Sequence, residues 1–190
     1  MTVCRHLMVV FVIIGLYSCS EEEDSGMMPE PTETNIQVYT DVVFGTEETN
    51  SEKGIFFSTE EGVTYTREAL QVQNESEIDF VFYSNSQFSF FINPADTDAM
   101  KNFVQAELAN ARNTKIQSGE TVASEVSVDE FEQITTTTEL KNLMVVPNEA
   151  SLLDTFPQLV LFETSTGKKG MIRIKSLTTE QMVADIKVEK

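Results

Sequence analysis

Tryptophan is missing from the chain, histidine occurs once, at position 6, and cysteine twice, at positions 4 and 19. Beyond residue 19 there is neither imidazole nor thiol. That excludes Ser-His-Asp and Cys-His nucleophile systems and zinc sites built from Cys and His. It also leaves no partner for a disulfide, so a fold beyond residue 19 must rest on its apolar core. Bases are scarce: 13 Lys and Arg stand against 31 Asp and Glu, for a formal charge of −18. Such a field repels nucleic-acid phosphates and anionic lipid, so we expect no nucleic-acid partner. No metal or cofactor is expected either.

Long apolar runs are lacking too. Leu7–Leu16 is ten residues, where a membrane-spanning helix needs roughly 20. After Arg5 and His6, this length fits the apolar region of a signal peptide. The tetrapeptide Leu16-Tyr17-Ser18-Cys19 resembles the lipobox of bacterial lipoproteins. The resemblance implies cleavage after Ser18 and lipidation of Cys19. Several acyl chains anchor stably where a single one holds only marginally. An ordinary secretory signal cut nearby would instead leave Cys19 a stray thiol. The run Ser20, Glu21, Glu22, Glu23, Asp24 is similar to the export signal of Bacteroidota lipoproteins sent to the outer face of the outer membrane. A solvated acidic linker is the other reading. The implied location is the outer membrane, lipid-anchored and facing the cell exterior, with the periplasmic face as the alternative.

We therefore divide the chain into a signal peptide (1–18), a lipidated cysteine with an acidic tether (19–34) and one globular domain (35–190). In the tether Met27 and Met28 are the only large apolar residues, so it cannot repay the cost of ordering. Fully extended, it reaches about 50 Å. The domain keeps 12 bases against 25 acids.

The domain pattern begins and ends as β. Residues 35–44 read as a strand with Ile36, Val38, Val42 and Phe44 on one face and Tyr39 opposite. Ile55–Phe57 and Val63–Tyr65 read as a hairpin turning at Gly62. Arg67–Val72 reads as one or two helical turns. Ile78–Tyr83 and Phe88–Ile92 form the most β-prone stretch. Phe80, Phe82, Phe88, Phe90 and Phe91 are expected in the core, against the alternative of an exposed aromatic binding patch. Asn93-Pro94-Ala95-Asp96 opens a helix expected to reach Asn113, with Met100, Phe103, Val104, Leu108 and Ala111 on its apolar face. Ser127-Val-Asp-Glu130 and Thr136-Thr-Thr-Glu139 are capping boxes, the first with a Val126/Phe131 staple. Gln158–Glu163 is apolar on both faces, as in a central strand. Met171–Ser176 and Met182–Lys190 alternate, which predicts a meander with one solvated face. The fold class is α+β: an antiparallel sheet or sandwich with a central helical segment packed on it, an all-β sandwich being the alternative.

The order Phe44-Gly45, Phe56-Phe57-Ser-Thr-Glu-Glu-Gly62, Tyr65, Ile78-Asp-Phe-Val-Phe-Tyr83 and Lys169-Gly-Met-Ile-Arg-Ile-Lys175 resembles a class of uncharacterised Bacteroidota surface lipoproteins. The resemblance implies a location and brings no activity with it.

Three groups of residues carry weighable chemistry. Asp96 and Asp98 could begin a calcium site, but they lack the glycine and distant Glu of an EF-hand loop and suit a helix N-terminus better. Glu75, Glu77 and Asp79, with Asp129, Glu130 and Glu132, could pair as glycosidase acid and base if the fold brings them together. Lys168 and Lys169 could grip an anion, but suit a solvated turn guarding a strand edge. The leading expectation is a non-catalytic binding or accessory module anchored in the membrane by lipid, with a glycan or a surface protein as its partner. The alternatives are a carboxylate-based glycan hydrolase and a structural subunit of an adhesin or pilus-like assembly.

Overall fold

A computed structural model describes residues 36–148 and 150–190, which belong to one compact unit. The signal peptide, Cys19, the run Ser20–Asp24 and the tether lie outside the described residues. Among the described residues, nine strands form two antiparallel sheets. The larger runs β1 (Ile36–Gly45), β9 (Gln181–Glu189), β8 (Lys169–Leu177), β7 (Gln158–Glu163) and β6 (Lys115–Gln117) in spatial order. The smaller runs β3 (Val63–Tyr65), β2 (Phe56–Ser58), β4 (Phe80–Ser84) and β5 (Ser89–Ile92). The helices are α1 (Val72–Glu75), α2 (Thr97–Ala99) continuing into a π turn (Met100–Val104), α3 (Glu120–Glu125), α4 (Val128–Gln133) and α5 (Thr137–Lys141). The fold is α+β, as expected. The sheets sandwich a shared core, and α3–α5 cover the outer face of the larger sheet.

β7 shows why a strand can be apolar on both faces. Its Val160 and Phe162 enter the sandwich, while Leu159 and Leu161 meet Val122, Phe131 and Leu140 of the helical layer. Phe44 stands at the centre of the sandwich. Its ring lies 5.7, 6.3, 5.8 and 6.0 Å from Phe57, Phe80, Phe82 and Phe91 of the smaller sheet. Each such buried ring stabilises by about 1.5–3 kcal/mol relative to exposure. Phe88 and Phe90 do not join this core. Phe90 points away from Phe91 on the pleat, Phe88 lies in the preceding turn, and both are half-buried beside Tyr83 and Phe103.

β1 departs from simple alternation. A register shift between Tyr39 and Val42, with Asp41 at φ 56°, exchanges the two faces. Tyr39 therefore packs edge-on against Phe57 at 5.9 Å, while Val38 is 49% exposed. The Tyr39 hydroxyl donates to the Thr59 carbonyl at 2.7 Å. Its ring lies over Gly62 (φ 72°), where an added Cβ would fall 2.1 Å from the ring.

The expected helix to Asn113 is cut short. Asp96, three residues after the expected cap, accepts from the Ala99 amide at 2.9 Å and starts the helix. The chain leaves it at Gln105 (φ 53°) and turns again at Asn110 (φ 59°). Asn93 holds the segment's ends together: it donates to Asn113 at 2.8 Å and accepts from the Thr114 amide at 3.0 Å. A straight helix of about 20 residues would part those ends by about 30 Å. The helical turn expected at Arg67–Val72 is displaced to α1. Both capping boxes form as expected.

The expected solvated face of the meander is covered. Asp185, Lys187 and Glu189 are 4, 8 and 6% exposed: Lys187 lies under the ends of the helical layer, Asp185 beneath Arg173 and Lys175, and Glu189 accepts from the Lys169 amide. Lys187 is accommodated there by helix ends. Its Nζ donates to the carbonyls of Phe131, Glu132 and Ile134 at 2.7, 3.3 and 2.7 Å, and stands 4.8 Å from the Phe131 ring. Burial pushes the ammonium below the ordinary lysine value, and the neighbouring Arg173 charge adds to the shift. Lys187→Met keeps the apolar stem and removes these donors from the orphan carbonyls of α4. We expect a loss of about 1–3 kcal/mol in urea unfolding, with lower protection of the α4 amides in hydrogen exchange.

Candidate functional site

The inward pleat positions of the sandwich change character at one end. Two residues beyond Phe44 stands Thr46, two beyond Phe82 stands Ser84, and two before Phe91 stands Ser89. All three hydroxyl residues are buried, at 3, 4 and 8% exposure. They form the floor of a cleft of about 690 Å³, together with Leu152 and Leu177. Thr46 donates to the Thr179 carbonyl at 2.5 Å, and the Ser84 and Ser89 hydroxyls pair at 2.7 Å. The rim is polar and exposed: Glu47 and Glu48, Ser86 and Gln87, Asp154, and Thr178.

Four turns build this rim, held by backbone bonds within and between them. The Glu47 amide donates to Ser84 (2.8 Å), Asn85 to Phe88 (3.1 Å), Leu152 to Ser89 (2.7 Å) and Thr178 to Gln181 (2.9 Å). Asn85 fixes the β4–β5 turn, accepting from the Gln87 and Phe88 amides at 2.9 and 3.0 Å. A second hollow of about 330 Å³ lies beside the cleft, and Phe88 and Ser151 line both. In that hollow the rings of Phe88, Phe90 and Phe103 stand 5.0 to 5.8 Å apart. Among the described residues, no Lys or Arg lines either space. Volumes of this size are those of small-ligand sites.

The residues singled out in the sequence lie elsewhere or serve the fold. Asp96 caps α2 and Asp98 sits in its first turn. Asp79 is fully buried, accepting from the Thr59 amide (2.8 Å), the Thr59 hydroxyl (2.6 Å) and Arg112 (3.0 Å). Glu75 accepts from the Ala109 amide at 2.7 Å. Glu130 is held by its capping box, where the Ser127 amide and hydroxyl keep its carboxyl below the ordinary value. Glu132 pairs with Arg173. Asp79 directly precedes β4 of the smaller sheet and α4 lies on the far face of the larger one, so the two carboxylate groups are not brought together. Lys169 is neither a turn cation nor an edge guard. It begins β8, an interior strand, and caps α5 through the carbonyls of Lys141 (2.9 Å) and Leu143 (2.5 Å). Among the described residues, no cluster of three or more His, Cys, Asp or Glu is placed to hold a metal ion. No helix among them is long and apolar enough to cross a membrane. A further hollow of about 680 Å³ between α3, α4 and α5 carries Glu125, Glu130 and Glu139, the last two already engaged as helix caps.

Apart from Phe88, which belongs to the alternative of an exposed aromatic patch, the cleft residues are not candidates in the sequence. They come from segments far apart in the chain: Thr46 to Glu48, Ser84 to Ser89, Ser151 to Asp154 and Leu177 to Thr179. Their convergence is a property of strand pairing. The available signal was the switch from Phe to Ser or Thr at spacing two.

Neither a protein-family model nor a curated protein matches the chain. The fold is similar to the crystal structure, at 2.00 Å resolution, of a DUF4466 family protein from Parabacteroides merdae ATCC 43184. The TM-score is 0.53 and the identity 18%, over 82% of this chain and 54% of that one. At that identity the likeness is one of fold, and this chain spans about half the length of that protein. The domain thus has the fold of an uncharacterised Bacteroidota-type domain.

A charged cluster on the outer face of the larger sheet gives a test of the described electrostatics. Asp185 accepts from Lys175 (2.8 Å), Arg173 and the Asp41 amide (2.9 Å). Burial alone would raise its carboxyl, but the bonds from Lys175, Arg173 and Asp41 outweigh it and hold it below the ordinary 3.8. The unfolded chain therefore takes up that proton more readily than the folded one. The stabilisation is complete above the ordinary value and is lost as pH falls through the lowered one. Asp185→Asn should flatten the acid limb of stability, read as urea midpoints between about pH 5 and pH 2.

Proposed function

We propose that the protein is a lipid-anchored outer-membrane surface lipoprotein acting as a non-catalytic binding module through this cleft. The observation that carries the reading is the position of the cleft relative to β1. Ile36, next to the tether, pairs with Glu189 at one end of the larger sheet, and Gly45 pairs with Gln181 at the other. The cleft opens beyond Gly45, at the far end of a ten-residue strand, about 30 Å away. A tether attached at the Ile36 end therefore leaves the cleft end of the domain unobstructed. The acidic rim keeps it clear of anionic headgroups. The lack of histidine and thiol beyond residue 19 supports binding without nucleophilic turnover.

The test uses the chain's own lack of thiols beyond Cys19. Gln87→Cys places one at the rim of the cleft. In intact cells a membrane-impermeant maleimide should label the Gln87→Cys protein, while the parent chain stays unlabelled. Cys19→Ala should abolish fatty-acid incorporation and release the protein from the membrane. Labelling only after the outer membrane is permeabilised would make the orientation periplasmic. Retention of acylation in Cys19→Ala would overturn the anchor.

A further inference from the structure

Resting on that reading, we propose that the cleft takes a neutral carbohydrate chain, with Phe88 as the ring on which a sugar face stacks. Three features of the lining point to this class. The first is the floor. Thr46, Ser84 and Ser89 place hydroxyls where the core pattern would have placed a further apolar layer. They already bond within the protein, Thr46 to Thr179 and Ser84 to Ser89, but their remaining lone pairs suit the hydroxyl protons of a polyol, which an apolar ligand does not offer.

The second is charge. Glu47, Glu48 and Asp154 line the cleft and Asp96 the adjoining hollow, and among the described residues no Lys or Arg lines either. Uronates, sulfated chains and phosphates would meet like charge without a counter-ion partner. A neutral sugar meets acceptors for its hydroxyl protons, and carboxylates make the stronger, charge-assisted bonds.

The third is the aromatic wall. Phe88 is shared by the polar cleft and the hollow, with Phe90 and Phe103 completing the wall. Phe103 is 36% exposed and is carried by the π turn Met100–Val104. Insertions of that kind re-aim side chains and recur at functional sites. The negative face of an aromatic ring suits the C–H-rich face of a pyranose. A peptide laid along the rim would find little to pair with. The turn amides of Glu47, Asn85, Leu152 and Thr178 already donate within the protein.

The test uses the purified full-length chain in detergent, with dextran, mannan and xyloglucan as neutral probes and polygalacturonate and heparin as polyanions. Calorimetry and affinity electrophoresis should show binding to a neutral chain and none to the polyanions. Phe88→Leu retains apolar bulk without a ring and should weaken binding about five- to tenfold, while Phe88→Tyr should bind like the parent. Equal binding by Phe88→Leu and the parent, or a preference for polygalacturonate, would sink the proposal. Circular dichroism and unfolding midpoints establish that both variants are folded. Protection of Gln87→Cys from maleimide by a protein ligand, with no neutral chain bound, would reject the carbohydrate and leave the binding-module reading intact. Absence of protection by any ligand class would reject both.

Discussion

The domain depends on the contact of Phe44 with four rings across the sandwich. Cysteine is absent after residue 19, so no covalent staple joins the two sheets. Phe57, Phe80, Phe82 and Phe91 come from three different strands of the smaller sheet, and all meet Phe44. That sheet has strands of only 3 to 5 residues. Isolated pairings of that length are marginal in water. Their persistence follows from burial against the longer strands β1, β8 and β9. Phe80 extends the same packing to Phe162 on β7 at 5.3 Å, so the aromatic layer reaches from β1 to β7 of the larger sheet.

The other face of the larger sheet uses a different chemistry. Short helices have little stability of their own, since the first turns cost more than they return. Here α4 and α5 begin with capping boxes and end on lysines that rise from the sheet. Lys187 closes α4 and Lys169 closes α5, each at carbonyls with no partner inside the helix. The leucines and Met171 beneath supply the burial. A positive charge at a helix C-terminus is favourable electrostatically as well as by hydrogen bonding. Charges that resemble a solvated strand face in the sequence are thus the fasteners of a layer.

This explains which parts of the structure were legible in advance. Local codes were read well: the capping boxes at Ser127 and Thr136, the hairpin at Gly62, and β7 as an interior strand apolar on both faces. What failed depended on contacts remote in sequence. The helix after Pro94 ends early because Asn93 reaches Asn113 and Thr114, which no local pattern encodes. The face exchange in β1 rests on a bulge opposite β9, and Asp41 carries no signal for it beyond its tolerance of positive φ. The covered face of β9 looks solvated because alternation reports polarity, and polarity is silent about a helix end placed above it. The short β6 and α3 lack caps or periodicity long enough to register.

The cleft follows from the same sandwich. A core made of alternating inward positions has to stop where the strands stop, and it can stop in apolar or polar residues. Apolar closure would call for larger side chains from the turns, as Leu152 provides at one point of the floor. At the end beyond Gly45 the inward positions instead become Thr46, Ser84 and Ser89, which bond to one another and to Thr179. A hydroxyl layer of this kind stabilises less than a further layer of phenylalanine. Its presence at the end of the sandwich farthest from Ile36, beside half-exposed rings and under an acidic rim, is what leaves the cleft open and polar.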